Sequence, residues 1–179
     1  LIHDDIMDEA PLRRGRATIH ARYGLPSGIL SGAVMNIYAY QQLARIHPDH
    51  LTRILPVFNR TAIEVCEGQQ MDMDFENKED ITVDEYLKMI ALKTSVLLAS
   101  SLKIGACLAG ATAGEANHIY EFGRNLGLAF QLQDDYLDTF GSQEQIGKLP
   151  GGDIRANKKT FLYINCQELA DDNESKILT

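Results

Sequence analysis

At 179 residues, 45% hydrophobic and 23% charged, with 5 Pro and no Trp, the chain suits about one apolar core, and its composition fits neither a disordered segment nor an all-β scaffold. A formal net charge of -8 excludes a general nucleic-acid binder, which needs a basic face to replace counterions on phosphate. Any phosphate ligand therefore needs locally placed basic groups or a metal.

The helical reading runs in chain order. Residues 1 to 9 read as the end of a helix stopped by Pro11, followed by the basic turn Leu12-Arg13-Arg14-Gly15-Arg16. Helices are predicted from about Ser27 to His47 and from about Leu51 to Glu76. A fourth runs from Thr82 to about Ala111, opened by the capping-box spacing of Thr82 and Glu85 and the staple spacing of Ile81 and Tyr86. Another spans about Ala116 to Phe140, a polar loop carries Gly147 to Asp153, and a last helix begins near Asn157. No segment alternates like a strand, and there is no solenoid repeat. The expectation is one all-α domain over residues 1–179. The chain opens on Leu1 without a signal-peptide n-region, so it reads as an internal portion of a longer protein.

Three cysteines, Cys66, Cys107 and Cys166, make no C-x-x-C spacing and read as reduced cytoplasmic thiols, neither a zinc site nor a disulfide framework. The longest apolar stretch, Ser95 to Gly114, is interrupted by Lys103 and rich in small residues, which fits a buried helix better than a transmembrane span.

Two acidic clusters carry the chemistry: Asp4-Asp5-Ile6-Met7-Asp8 and Asp134-Asp135-Tyr136-Leu137-Asp138. Residues four apart share a helix face, so Asp4 with Asp8, and Asp134 with Asp138, can each aim two carboxylates at one point. Hard oxygen ligands of this kind suit Mg²⁺, whose shell substrate phosphate oxygens can complete. With 14 Asp in the chain, one D-D-x-x-D arises by chance in roughly one chain in twelve and two in well under about one in a hundred, so the pair is informative. The alternative for either cluster alone is a solvated helix face. Gly127, Gln131, Asp134 and Asp138 also recur on one face among apolar residues, as in a cavity lining.

Basic residues stand where an anion would need them. Arg13 and Arg14 follow the first cluster, Lys93 sits beside Thr94 in the apolar fourth helix, and Lys148 and Lys158 flank the loop after the second cluster. Guanidinium forks bind diphosphate bidentately and lysines act as point charges. Surface solubility is the plain alternative for Lys148 and Lys158, and snorkelling from an apolar helix for Lys93.

These residues resemble the trans-isoprenyl (polyprenyl) diphosphate synthases. His3-Asp4-Asp5-Ile6-Met7-Asp8 with Leu12-Arg13-Arg14-Gly15 resembles the first aspartate-rich motif and its arginine tail, and Phe130 to Asp138 resembles the second. Glu67-Gly68-Gln69 with Asp72 resembles the G-Q-x-x-D helix, and Lys93-Thr94 the K-T pair. Gly147-Lys148, Gly152-Asp153 and Lys158-Lys159-Thr160 resemble the loop that follows. Two positions depart from the pattern: Ala33 follows Gly32 where an Asp is common, and Asn157 stands where Gly is common.

The resemblance implies the isoprenoid synthase fold, an antiparallel helix bundle around a deep central cavity, here lacking N-terminal and C-terminal helices of the family. It implies a Mg²⁺-dependent prenyltransferase, with Mn²⁺ as a substitute, condensing an allylic diphosphate with isopentenyl diphosphate in a cytoplasmic homodimer. Asp4, Asp8 and Asp134 would hold metal, with Asp5, Asp135 and Asp138 as outer or auxiliary ligands. Arg13, Lys93 and Lys158 would contact the allylic diphosphate and Arg14 the isopentenyl diphosphate, with Gln69 and Lys148 among the substrate-binding residues. Thr94 and Gln131 would stabilise the allylic cation, and the released diphosphate would take the last proton. His3 is then a helix-packing residue, and Met35 and Tyr38 line the cavity or fill the core. A terpene cyclase, a non-catalytic synthase subunit and a di-iron bundle are the rivals. The second D-D-x-x-D weighs against the cyclase, the retained aspartates against the subunit, and the absence of Glu-x-x-His pairs against the bundle.

Overall fold

The computed structural model describes residues 1–78, 80–142, 151–155, 157–171 and 174, and the chain divides into two compact units, Leu1–Val57 and Phe58–Thr179. In the first unit, helix α1 (Ile2–Met7) ends at Asp8, and Glu9 takes a positive φ that no helix continues. Next comes a small antiparallel hairpin, β1 (Leu12–Arg13) and β2 (Arg16–Ala17), where the sequence predicted no strand. Arg14 and Gly15 both have positive φ, the geometry of a tight two-residue hairpin turn whose twist matches the strands. Strands of two residues are too short to show an alternating pattern, which is why the hairpin read as a turn. Thr18 closes its base, donating from Oγ1 to the Ala10 carbonyl at 2.7 Å.

The predicted second helix is α3 (Leu25–Leu43), which ends short of His47; a short helix the sequence did not predict, α2 (Ile19–Tyr23), precedes it, and the two are broken at Gly24 with φ 88°. Helix α1 packs on α3 at a glycine: a Cβ at Gly32 would collide with the His3 imidazole, whose Nε2 lies 3.0 Å from the Ile29 carbonyl. His3 is thus the packing residue expected, and Gly32 is needed where it stands. Met35 and Tyr38 are exposed on α3.

Helix α4 (Pro48–Phe75) starts on a proline, whose missing N–H costs nothing in a first turn, and runs into the second unit. There, α5 (Val83–Ile90) opens with the predicted capping box: Glu85 N–H donates to Thr82 Oγ1 at 3.2 Å and Thr82 N–H to Glu85 Oε2 at 3.0 Å. Ile81 and Tyr86, spaced as a staple, are both buried in the core of this unit with Phe75, Met89, Ile90 and Ile164. One turn of π-helix (Ala91–Ser95) joins α5 to α6 (Val96–Leu108), so the predicted long helix is continuous but locally widened.

Helix α7 (Ala113–Phe140) returns antiparallel to α6, with a second capping box, Thr112 with Glu115, that fixes its start three residues earlier than predicted. Gly123 and Gly127 allow that approach. A Cβ at Gly123 would lie 2.8 Å from Ala99 Cα, and one at Gly127 2.6 Å from Ser95 Cα, so any side chain would force the helices apart. The rod Val83–Leu108 contains an 18-residue window of mean hydropathy 1.4 and is long and apolar enough to cross a membrane by those criteria alone. Here 39% of that window is buried, and the rod packs on α7 and carries side chains bonded to α4 and α7. Helices α8 (Gly152–Arg155) and α9 (Phe161–Leu169) complete the unit, α9 starting at Thr160, whose Oγ1 accepts from Tyr163 N–H, and not at Asn157. Asn157 has φ 53°, and Asn is among the few residues that enter that region readily, so it replaces a glycine without strain.

Candidate active site

The first aspartate motif is organised by one arginine. Arg13, carried on β1, donates from Nη2 to Asp4 Oδ2 at 2.7 Å and from Nε to Asp5 Oδ1 at 2.5 Å. The hairpin turns the chain back so that a residue nine positions on can fork across two neighbouring carboxylates. Burial would lower the Arg13 pKa, but the hydrogen bonds and charges of Asp5 and Asp4 outweigh it and hold it raised. Asp5 is buried, whereas Asp4 is half-buried and Asp8 exposed, so Asp4 and Asp8 are the two that face outward. Arg14 is exposed at the turn tip.

In the second unit the π turn sits between two glycines. Gly68 of α4 faces it so closely that a Cβ would lie 2.7 Å from Lys93 Cα, and Gly127 of α7 abuts Ser95. One helical turn beyond each glycine stands the partner of a site residue. Asp72, four after Gly68, accepts from Lys93 Nζ at 2.6 Å, and Gln131, four after Gly127, lies with Oε1 3.2 Å from Thr94 Oγ1. Lys158 Nζ reaches the same Asp72 carboxylate at 3.5 Å. Lys93 and Lys158, 65 positions apart in sequence, thus converge on one carboxylate, and Lys93 is held by it rather than snorkelling. Gln69, beside Gly68, is buried, and its Nε2 has no hydrogen-bond partner among the described residues. Lys148, with Gly147, lies outside the described residues.

The second aspartate motif splits by burial. Asp134 is half-buried, while Asp135 and Asp138 are buried and serve protein donors. Asp135 accepts from the Tyr86 hydroxyl on one oxygen and from Gln131 Nε2 at 3.1 Å on the other. Burial raises the Asp135 pKa against these bonds, and burial together with the Asp135 charge raises that of Tyr86, which stays a neutral donor. Asp138 Oδ2 accepts from Asp153 N–H at 2.9 Å and its carbonyl from Gly151 N–H, tying α7 to the start of α8. The sequence reading gave Tyr86 only a packing role and Asp72 only a place in a motif; their bonds to Asp135 and Lys93 are contacts that spacing does not reveal.

Among the described residues no cluster of three or more His, Cys, Asp or Glu is arranged to hold a metal by itself. Asp4 and Asp8 in the first unit, and Asp134 in the second, are each hard oxygen donors of the kind that suits a magnesium-like ion whose shell a phosphorylated ligand completes. Carboxylates suited to a hard cation, lysines gathered on one carboxylate and a threonine–glutamine pair are polar groups that this helical scaffold presents.

The chain belongs to the polyprenyl synthetase family, whose model matches residues 1–179, and whose members use divalent metal ions. It is 41% identical over 182 residues to a geranylgeranyl diphosphate synthase of Sulfolobus acidocaldarius, covering 99% of this chain and 55% of that protein. It is 42% identical over 179 residues to a short chain isoprenyl diphosphate synthase of Methanocaldococcus jannaschii, covering 99% and 54%. A crystal structure of a geranylgeranyl pyrophosphate synthase superposes with TM-score 0.93 at 51% identity, over 99% of this chain and 54% of that one. The fold is therefore the all-α isoprenoid synthase fold. The chain spans about half the length of the curated relatives it matches.

Proposed function

We propose that this chain is the catalytic portion of a cytoplasmic, homodimeric prenyltransferase that condenses an allylic diphosphate with isopentenyl diphosphate, releasing diphosphate and a longer isoprenyl diphosphate. The observation that carries the reading is the convergence of Lys93 and Lys158 on Asp72 beside the Thr94–Gln131 pair: a cationic anion-binding group next to two uncharged oxygen dipoles. That is what an ionising allylic diphosphate requires, with charge for the leaving group and dipoles for the carbon left behind.

In the first unit Asp4 and Asp8, and in the second Asp134, would each be ligands for Mg²⁺, or Mn²⁺ in its place, with Asp5 as an auxiliary ligand held by Arg13 and Asp135 and Asp138 as auxiliary ligands held by Tyr86 and the Asp153 backbone. The bound metal supplies positive charge to the departing diphosphate. Lys93 and Lys158 would turn from Asp72 to phosphate oxygens, and Arg13 would extend its fork from carboxylates to phosphate, a swap between two anionic partners of similar geometry. Thr94 Oγ1 and Gln131 Oε1 would face the allylic cation, holding no proton that the reaction needs. Arg14, exposed on its turn, would meet the isopentenyl diphosphate, with Gln69 and Lys148 as further substrate contacts. The two D-D-x-x-D motifs and the Arg13-Arg14 tail favour this over a terpene cyclase.

Calorimetric titration with inorganic diphosphate tests the site directly. Binding should require Mg²⁺ and weaken roughly ten- to a hundredfold in Lys93→Ala, the loss of a charge-assisted contact. Binding indifferent to both Mg²⁺ and Lys93 would refute the assignment.

A further inference from the structure

One buried hydroxyl serves above only to hold Asp135. Tyr86 is 3% exposed, lies in the apolar core of its unit, and yet donates to the Asp135 carboxylate. The bond is the first link of a directed series: Tyr86 hydroxyl to Asp135, Gln131 Nε2 to Asp135, and Thr94 Oγ1 to Gln131 Oε1. Because Gln131 gives its NH2 end to a carboxylate, its carbonyl oxygen must face Thr94; an amide has no third arrangement.

The four residues come from two antiparallel rods. Gln131 and Asp135 are four apart on α7 and share a face. Tyr86 and Thr94 are eight apart on the other rod, and over eight residues a regular α-helix overshoots two full turns by about 80°. The wider π turn between them takes up much of that excess and brings Thr94 back to the face of Tyr86. Gly127 against Ser95 supplies the close approach that brings the rod onto α7 beside Thr94.

We propose that Tyr86 is a positioning residue for ionisation of the allylic substrate: acting through Asp135, it holds the Gln131 amide with Oε1 toward Thr94, so that both dipoles are set before the diphosphate departs. The inference rests on the synthase reading above. It assigns Tyr86, which touches no reacting atom, an effect on the rate of bond breaking and not on substrate binding.

Tyr86→Phe removes only the hydroxyl. In the protein at its full natural length, diphosphate release is measured with and without isopentenyl diphosphate. Tyr86→Phe should lower kcat roughly ten- to a hundredfold, the scale of a small misplacement at a reacting centre, with KM for the allylic diphosphate held within about twofold. Thr82→Ala is the control: it breaks the capping box of the helix that carries Tyr86 but leaves the hydroxyl, and should retain kcat. A Tyr86→Phe enzyme with wild-type kcat, or a Thr82→Ala enzyme that loses as much, overturns the proposal. The wild type supplies a second readout that no misfolded variant can obscure. The Gln131 side-chain NH2 should be protected from hydrogen exchange in NMR spectra, and free exchange there would also overturn it. A wild type that releases diphosphate without elongating anything sinks the synthase reading, while the kcat ratio still reports on Tyr86.

Discussion

Replacing Gly68 by Ala adds one methyl group at the point where α4 meets the backbone of the π turn. The new Cβ would lie 2.3 Å from Lys93 N and 2.7 Å from both Leu92 C and Lys93 Cα, where ordinary contact begins at 3.4 Å, so two backbones must part by about 1.1 Å. Overpacking of this kind costs about 1–3 kcal/mol, and removing a helical glycine returns about 1 kcal/mol. The net destabilisation is about 0–2 kcal/mol, or a fall in Tm of up to roughly 8 °C for a chain of this size. Gly105 in α6 is the matched comparison, because a Cβ there meets nothing within 4 Å. Gly105→Ala should gain about 0.5–1 kcal/mol. Thermal unfolding of the two variants decides the matter. A Gly68→Ala protein melting at or above Gly105→Ala would refute the claim that a glycine is required against the π turn.

Two further outcomes follow from the ion pairs. Glu85 is held at a pKa of about 2, below its ordinary 4.5, by Lys78 first and then the Thr82 N–H. A lowered carboxylate stabilises the fold above its ordinary pKa and loses that contribution as pH falls through its folded value. The stability gap between wild type and Glu85→Gln should therefore be full above pH 4.5 and close toward about pH 2, measured by urea unfolding across that range. Arg13→Lys keeps the charge but cannot fork across Asp4 and Asp5. Because Arg13 is 35% exposed and screened, the loss should be about 1 kcal/mol, read as a lower urea midpoint at unchanged slope.

What the sequence reveals here is what recurs at fixed spacing. The two D-D-x-x-D clusters, the Thr82–Glu85 box and the Ile81–Tyr86 staple are local patterns, and each maps onto an element where spacing put it. Features that come from tertiary packing were not legible. The hairpin at Arg14-Gly15 has strands too short to carry a period. The π turn is read from Gly68 and Gly127 only once α4 and α7 are known to flank it, although both glycines precede a site residue by one turn. The Tyr86–Asp135 bond joins positions 49 apart, and a tyrosine at a staple position already has a sufficient reason to be apolar packing. The burial that divides Asp135 and Asp138 from Asp134 was not legible either, because it is a property of the face α7 turns inward.

The central claim is elongation, and product analysis tests it most directly. The protein at its full natural length is incubated with Mg²⁺, isopentenyl diphosphate and a set of allylic diphosphates, and the products are separated by chain length. The account predicts products longer than the allylic substrate by whole five-carbon units, lost in Asp4→Ala and in Asp134→Ala. Cyclised or hydrolysed allylic product with no isopentenyl carbon incorporated would contradict it.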